Sequence, residues 1–225
     1  MILNVDACQW LRAMPEGFAD LIVTDPPYRT ISGGNRESGN QRHGRPSGML
    51  SKNDGRIFKH NDAPVETWMP LLYRALKSPG HCYVMTNLLN LWDFHRVAVE
   101  CGFKVHNLLI WSKNTCTPNR WYMKDAEYIL FLRKGPARSI YTPGAKTILR
   151  HDTMRGKTHE TQKPVSLMRD LIVASSLPGD VVLDPFMGTG STGVAALNEG
   201  REFIGCEIDA GYYEVAGAWL DSIDT

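Results

Sequence analysis

Residues 180–200, DVVLDPFMGTGSTGVAALNEG, take the chain from an apolar run through a glycine-rich turn into a helix-forming stretch. Gly188, Gly190 and Gly193 fit G-x-G-x-x-G, where small residues allow a tight turn and let a ligand approach the backbone. Glu207 stands 19 residues beyond Gly188, in the next apolar run, EFIGCEID. A carboxylate there can accept hydrogen bonds from the two hydroxyls of a ribose. A strand, a glycine turn and a helix followed by a strand ending in an acid suit a nucleotide-binding α/β sheet, with glycines that merely pack helix on strand as the plainer alternative.

The pattern alone does not separate NAD from S-adenosylmethionine, but its place in the chain does. A dinucleotide fold needs a second mononucleotide-binding half, commonly after the first. Only 32 residues follow Gly193, enough for one strand and two helices. S-adenosylmethionine needs one nucleoside pocket and no pyrophosphate site, so the reading leans to it.

The rest of the chain supports a single α/β domain over 1–225. Apolar runs at 20–24, 81–86, 104–111, 126–133, 180–184 and 202–209 read as strands. Segments 66–77 and 91–101, a stretch from about Pro164, and the GYYEVAGAWLDSI tail carry apolar residues at helical spacing. The alternation implies a mostly parallel sheet covered by helices on both faces. Short connections after residue 100 add an antiparallel edge. The five cysteines form no CxxC pair, so neither a zinc ribbon nor a disulfide scaffold is expected, and no metal site. The opening MILNVDACQW lacks the basic and apolar regions of a signal peptide, and no apolar run reaches the roughly 18 to 20 residues of a membrane span. The expectation is a cytoplasmic chain with no membrane partner.

The strand at 20–24 ends in Asp25-Pro26-Pro27-Tyr28. Open α/β sheets bind ligands at the carboxyl ends of their strands. The two prolines stiffen the turn, and Pro27 leaves the Pro26 carbonyl without an adjacent N–H. One carboxylate, one carbonyl and one aromatic ring are thereby presented together. That set suits an exocyclic amine, whose two hydrogens need two acceptors and whose base needs a flat surface. A proline-stiffened turn with a capping aspartate is the plainer alternative.

A formal charge of +1 conceals strong segregation. Residues 29–60 carry seven basic and two acidic groups, and 133–163 carry eight and two, so two short segments hold 15 of the 25 basic residues. Such segments can form a nucleic-acid surface that a near-neutral total hides. Arg36, Arg42, Arg45 and Lys52 are candidate phosphate contacts in the first, Arg138, Lys146 and Arg150 in the second. Two solvated loops remain the alternative. The six glycines of 29–60 and its lack of an apolar period suit a long binding loop.

Three stretches in order, ADLIVTDPPY, HETQKPVSLMRDLI and LDPFMGTGSTGVAALNEGREFIGCEID, resemble the β-class DNA amino-methyltransferases, which modify adenine N6 or cytosine N4. The likeness spans roughly residues 3 to 215, with the catalytic motif preceding the cofactor motif in permuted order. It implies a Rossmann-like methyltransferase fold using S-adenosylmethionine. Asp184, Phe186, Gly188, Gly190 and Glu207 would line the cofactor pocket, and Thr161, Gln162 and Lys163 would lie near its methionine end. Asp25, Pro26, Pro27 and Tyr28 would be the catalytic turn, acting on a base flipped out of double-stranded DNA. Aspartate at the first motif position goes mostly with adenine in that family. Cytosine N4 methylation, a protein or RNA amide methyltransferase, and a non-catalytic cofactor- or DNA-binding module are the competing readings. A restriction-modification role and a homodimer are both compatible with the resemblance. Two features depart from the family: Glu160 stands where a proline usually precedes TQKP, and the target-recognition segment, about 133–158, is short.

Overall fold

Side chains along the central strands point alternately into two apolar clusters, one on each face of a single sheet. In β2 (Ala19–Thr24) Ile22 joins one cluster, and Leu21 and Val23 the other. In β3 (Leu76–Thr86) Cys82 and Val84 oppose Tyr83 and Met85 in the same way. In β5 (Lys124–Lys134) Leu130 and Leu132 oppose Ile129 and Phe131. Strands apolar on both faces must be covered twice, which is why the chain forms three layers.

The computed structural model of the chain describes residues 1–27, 63–117, 122–153 and 162–223. The remaining strands are β1 (Ile2–Leu3), β4 (Lys104–Thr117), β6 (Ile148–Arg150), β7 (Val181–Asp184) and β8 (Glu202–Cys206). They lie in the order β1-β8-β7-β2-β3-β5-β4-β6. The strands from β1 through β3 in that order pair in parallel, β5 runs against both β3 and β4, and β6 is parallel to β4. The mixed sheet expected from the sequence is present, with its reversed strand two places in from the β6 edge.

Helices α1 (Ala7–Ala13), α2 (Val65–Ala75) and α3 (Leu91–Glu100) cover one face, burying Trp10, Leu11, Trp68, Leu72 and Phe94. Helices α4 (Val165–Ser175), α5 (Ser191–Asn198) and α6 (Ala210–Asp221) cover the other with Leu167, Ile172, Val194, Ala216 and Leu220. Asp6 caps α1 by accepting from the Gln9 N–H at 2.7 Å, and Asp209 caps α6 by accepting from Gly211 and Tyr212. α2 ends at Ala75, two residues short of the expected helix, because β3 begins at Leu76.

Sequence order and spatial order part company at the centre of the sheet. β2 and β7 are neighbours, with Leu21 opposite Val182 and Ile22 opposite Leu183. From β2 the chain crosses by α2 to β3, whereas from β7 it crosses by α5 to β8 on the opposite side. This is a switch point, where the connections diverge and leave a crevice at the strand ends.

Candidate active site

Both sequence motifs end at that crevice. Thr24, the last residue of β2, donates its hydroxyl to Asp184 Oδ1 at the end of β7, at 2.7 Å. Asp184 is buried and also accepts from the Phe186 N–H at 3.1 Å. Its carboxyl is pushed up to about 7, by desolvation above all and also by the charge of Asp25, while hydrogen bonds from Thr192, Thr24 and Phe186 oppose the shift. Asp25 and Pro26 follow directly, Asp25 partly exposed and Pro26 buried. Tyr28 lies outside the described residues.

The glycine turn shapes the cofactor side. Gly188 has φ +53 and Gly190 φ +92, which L side chains rarely adopt. A Cβ at Gly188 would meet nothing within 4 Å, so open space lies in front of the turn. A Cβ at Gly193 would instead lie 2.7 Å from the Phe203 ring, and this third glycine serves the packing of α5 on β8. The Gly188 N–H donates to Glu207 Oε2 and the Asp209 N–H to Oε1, each at 2.9 Å. Burial raises the Glu207 carboxyl and these backbone donors oppose the rise. The acid is held at two points beside the open turn, as a ribose acceptor has to be. Phe186 packs edge-on against Trp68, with ring centroids 5.8 Å apart. A positioned carboxylate, an open glycine turn and a half-buried ring fit a nucleoside with its sugar.

A second charged array closes the other side of Asp25. Lys163, just before α4, puts its ammonium 2.5 Å from Asp25 Oδ2 and 3.3 Å from Glu127 Oε2. Glu127, on β5, also pairs with Lys113 of β4. Burial alone would raise the Glu127 carboxyl, but Lys163 and Lys113 outweigh it and hold it below the usual carboxylate range. Gln162 is buried next to Lys163 in the chain. Thr161 lies outside the described residues.

A family model described as DNA methylase matches residues 19–217, which include every element just described. The chain belongs to the N6/N4 DNA methylase family. This methylase is 31% identical over 242 residues to the type II methyltransferase M2.DpnII of Streptococcus pneumoniae, covering 99% of this chain and 90% of the relative. It is 32% identical to the type II methyltransferase M.HinfI of Haemophilus influenzae, across 99% of this chain and 68% of that one. Among solved structures, an M1.HpyAVI–SAM complex superposes with a TM-score of 0.72 at 26% identity, covering 97% of this chain and 98% of the other. The cytosine-N4-specific PvuII methyltransferase shares the fold, with a TM-score of 0.74 at 17% identity over 99% of this chain and 89% of that one.

The basic candidates of the methylase separate in space. Arg36, Arg42, Arg45 and Lys52 lie outside the described residues. Lys146 and Arg150 are exposed. β6 is parallel to β4, so Arg150 ends a strand on the same side of the sheet as Asp25. Arg138 is placed elsewhere. It donates to the Ser175 carbonyl at the end of α4 at 2.6 Å, with its guanidinium over the Tyr141 ring. Arg138 follows β5 where that reversed strand ends at Lys134, and the Ser175 hydroxyl meets His81 Nδ1, opposite Arg133 in the sheet, so Arg138 sits at the end of the sheet opposite Asp25. Its charge serves the carboxyl end of a helix rather than the crevice beside Asp25. Glu127, Lys113 and Thr24 did not emerge as site residues from the sequence. The available signal was two opposite charges, Glu127 and Lys113, interrupting apolar strands.

Proposed function

We propose that this methylase transfers a methyl group from S-adenosylmethionine to the exocyclic N6 of adenine in double-stranded DNA, acting on a base flipped out of the helix. The observation that carries the reading is the placement of Asp25 and Glu207 around one crevice: Thr24, the residue before Asp25, is bonded to Asp184, and Gly188 of the turn after Asp184 is bonded to Glu207. Glu207 and the open turn at Gly188 would hold the ribose, with Asp184 and Phe186 beside them. S-adenosylmethionine, when bound, supplies an electrophilic methyl group.

The chain's own residues then act on the amine. An adenine amine is a weak nucleophile because its lone pair is delocalised into the ring. The Asp25 carboxylate and the Pro26 carbonyl accept hydrogen bonds from its two N–H groups and turn the lone pair out of the plane. As the methyl carbon exchanges its bond to sulfur for one to nitrogen, positive charge develops on nitrogen and Asp25 stabilises it from a site already organised for that charge, until the surplus N–H proton passes to Asp25 or to water. Tyr28 offers the stacking face that an extruded base needs. Lys146 and Arg150, with Arg36, Arg42, Arg45 and Lys52, would contact phosphates without reading sequence.

Aspartate at position 25 favours adenine over cytosine on the family pattern. The shared fold of the cytosine-N4-specific PvuII enzyme means that architecture does not decide between the bases. Sequencing DNA from an expressing host with a method that reads modified bases separates them. N6-methyladenine at a defined site is expected, and N4-methylcytosine there, or no mark, would overturn the reading.

A further inference from the structure

The charged array around Lys163 has no task in the reaction as described above. Lys163 is 7% exposed, and its ammonium is shared between Asp25 Oδ2 at 2.5 Å and Glu127 Oε2 at 3.3 Å. Lys113 pairs with Glu127 from the far side and lies 5.0 Å from the Trp111 ring centroid. Four side chains, from the residue after β2, the entry to α4, β5 and β4, therefore alternate in sign along a series of ion pairs that ends on the reacting carboxylate. Burying an ammonium is costly unless carboxylates and hydrogen bonds surround it, so a lysine at this place needs a reason.

Two reasons compete. The resemblance puts Lys163 near the methionine end of the cofactor, where it would meet another carboxylate. In the structure, however, its charge is already matched by two carboxylates of the chain itself. We propose that Lys163 is a positioning residue for Asp25 and that Glu127 tunes it. The inference rests on the methyl-transfer reading above.

Each member of the series has a distinct effect. The ammonium fixes the Asp25 carboxylate by one oxygen, which sets how the amine hydrogens are received. A lysine acting alone would also draw negative charge from Asp25 and weaken it as the partner of a developing cation. Glu127 shares the same ammonium and returns that charge to Asp25. Lys113 in turn keeps Glu127 ionised and in place, in line with the lowered Glu127 carboxyl. Orientation is thus obtained without neutralising the group being oriented. Small displacements of a reacting group cost large factors in rate, about a hundredfold for 1 Å.

The test compares the full-length wild type with Lys163→Met, Lys163→Arg and Glu127→Gln. Calorimetry measures S-adenosylmethionine affinity, and single-turnover transfer of tritiated methyl to unmethylated genomic DNA measures rate at saturating cofactor. Lys163→Met should lose about 10- to 100-fold in rate with cofactor affinity within about twofold, and Lys163→Arg should recover part of the loss. Glu127→Gln, which keeps the side-chain shape, should lose roughly 3- to 30-fold in rate at unchanged affinity. In a double-variant cycle, Lys163→Met should cost little further in an Asp25→Asn background. A Lys163→Met protein with wild-type rate and much weaker cofactor binding would make Lys163 a cofactor ligand and overturn the inference. Should Lys163→Met fail to fold, a Glu127→Gln protein with wild-type rate would overturn it instead. A wild type that transfers no methyl to any DNA would sink the functional reading and this inference together, and is told apart by the missing wild-type rate.

Discussion

Thr24 and Asp184, 160 residues apart in the chain, share a 2.7 Å hydrogen bond that joins the ends of β2 and β7. The residue after Thr24 is the carboxylate expected to meet the substrate, and the turn after Asp184 carries the glycines expected to meet the cofactor. The bond therefore sets the spacing of the two halves of the reaction. Because it is buried and involves an acid, it also makes the junction sensitive to pH.

That sensitivity has a definite sign. Burial pushes the Asp184 carboxyl up to about 7 in the folded chain, from an ordinary value of 3.8. Between those values the folded state binds the extra proton, so stability falls as pH rises through the window and changes no further from this group above it. The gradient is at most about 1.4 kcal/mol per unit. Urea unfolding of the cofactor-free protein at pH 5 and pH 8 should show wild type losing about 2 to 4 kcal/mol relative to Asp184→Asn. Parallel pH curves for the two proteins would count against it.

Glu207→Ala should weaken S-adenosylmethionine binding by about 1.5 to 3 kcal/mol, the range for a hydrogen bond to a charged group. Turnover at saturating cofactor should suffer less, since Glu207 is held beside the glycine turn rather than against Asp25. Unchanged affinity by calorimetric titration would remove Glu207 from the cofactor site.

Asp25→Ala should fold, bind DNA and lose on the order of 10² to 10⁴ in methylation rate, as for a group acting on the transition state. Half of the wild-type single-turnover rate in this variant would refute the mechanism.

Gly193→Ala tests whether the third glycine is a packing residue. The new methyl group would lie 2.7 Å from the Phe203 ring and 2.8 Å from Leu220 Cδ2. Overpacking costs roughly 1 to 3 kcal/mol, while alanine in a helix regains about 1. A net loss of up to about 2 kcal/mol in urea unfolding is expected, partly restored by Phe203→Leu. A variant as stable as wild type, but weak in cofactor binding, would move Gly193 into the pocket.

Sequence and structure agree where local chemistry dictates the outcome. The end of β2 just before Asp25, the positive-φ glycines at 188 and 190 and the acid that follows β8 each have a residue-level cause that can be read without a partner. β1 was missed because two residues, Ile2 and Leu3, become a strand only by pairing with Gly205 and Cys206. Glu127 was missed for the same reason on a larger scale. In sequence it is one charge at the head of an apolar run, and only the β4–β5 pairing, with Trp111 opposite Glu127, brings Lys113 within reach. Arg138 shows the reverse failure. Its place in a basic segment suggested phosphate, but α4 supplied a carbonyl nearer to hand.

The three candidate phosphate contacts of the second segment should therefore behave differently. Each phosphate contact contributes about −0.9 to the slope of log affinity against log salt. Lys146 and Arg150 are exposed, and Arg150 lies on the Asp25 side of the sheet, so neutralising both should flatten the slope by about 1 to 2 units and weaken binding to all sequences alike. Neutralising three of Arg36, Arg42, Arg45 and Lys52 should flatten it by roughly 2 to 3. Arg138→Ala should leave the slope unchanged and instead lower stability by about 1 to 2 kcal/mol, since the Ser175 carbonyl loses its charged donor. Fluorescence titration of labelled duplex DNA across a salt series, with urea unfolding of the same proteins, separates the two behaviours. A flattened slope for Arg138→Ala at full stability would return that residue to the DNA surface, and an unchanged slope for the Lys146 and Arg150 pair would take them off it.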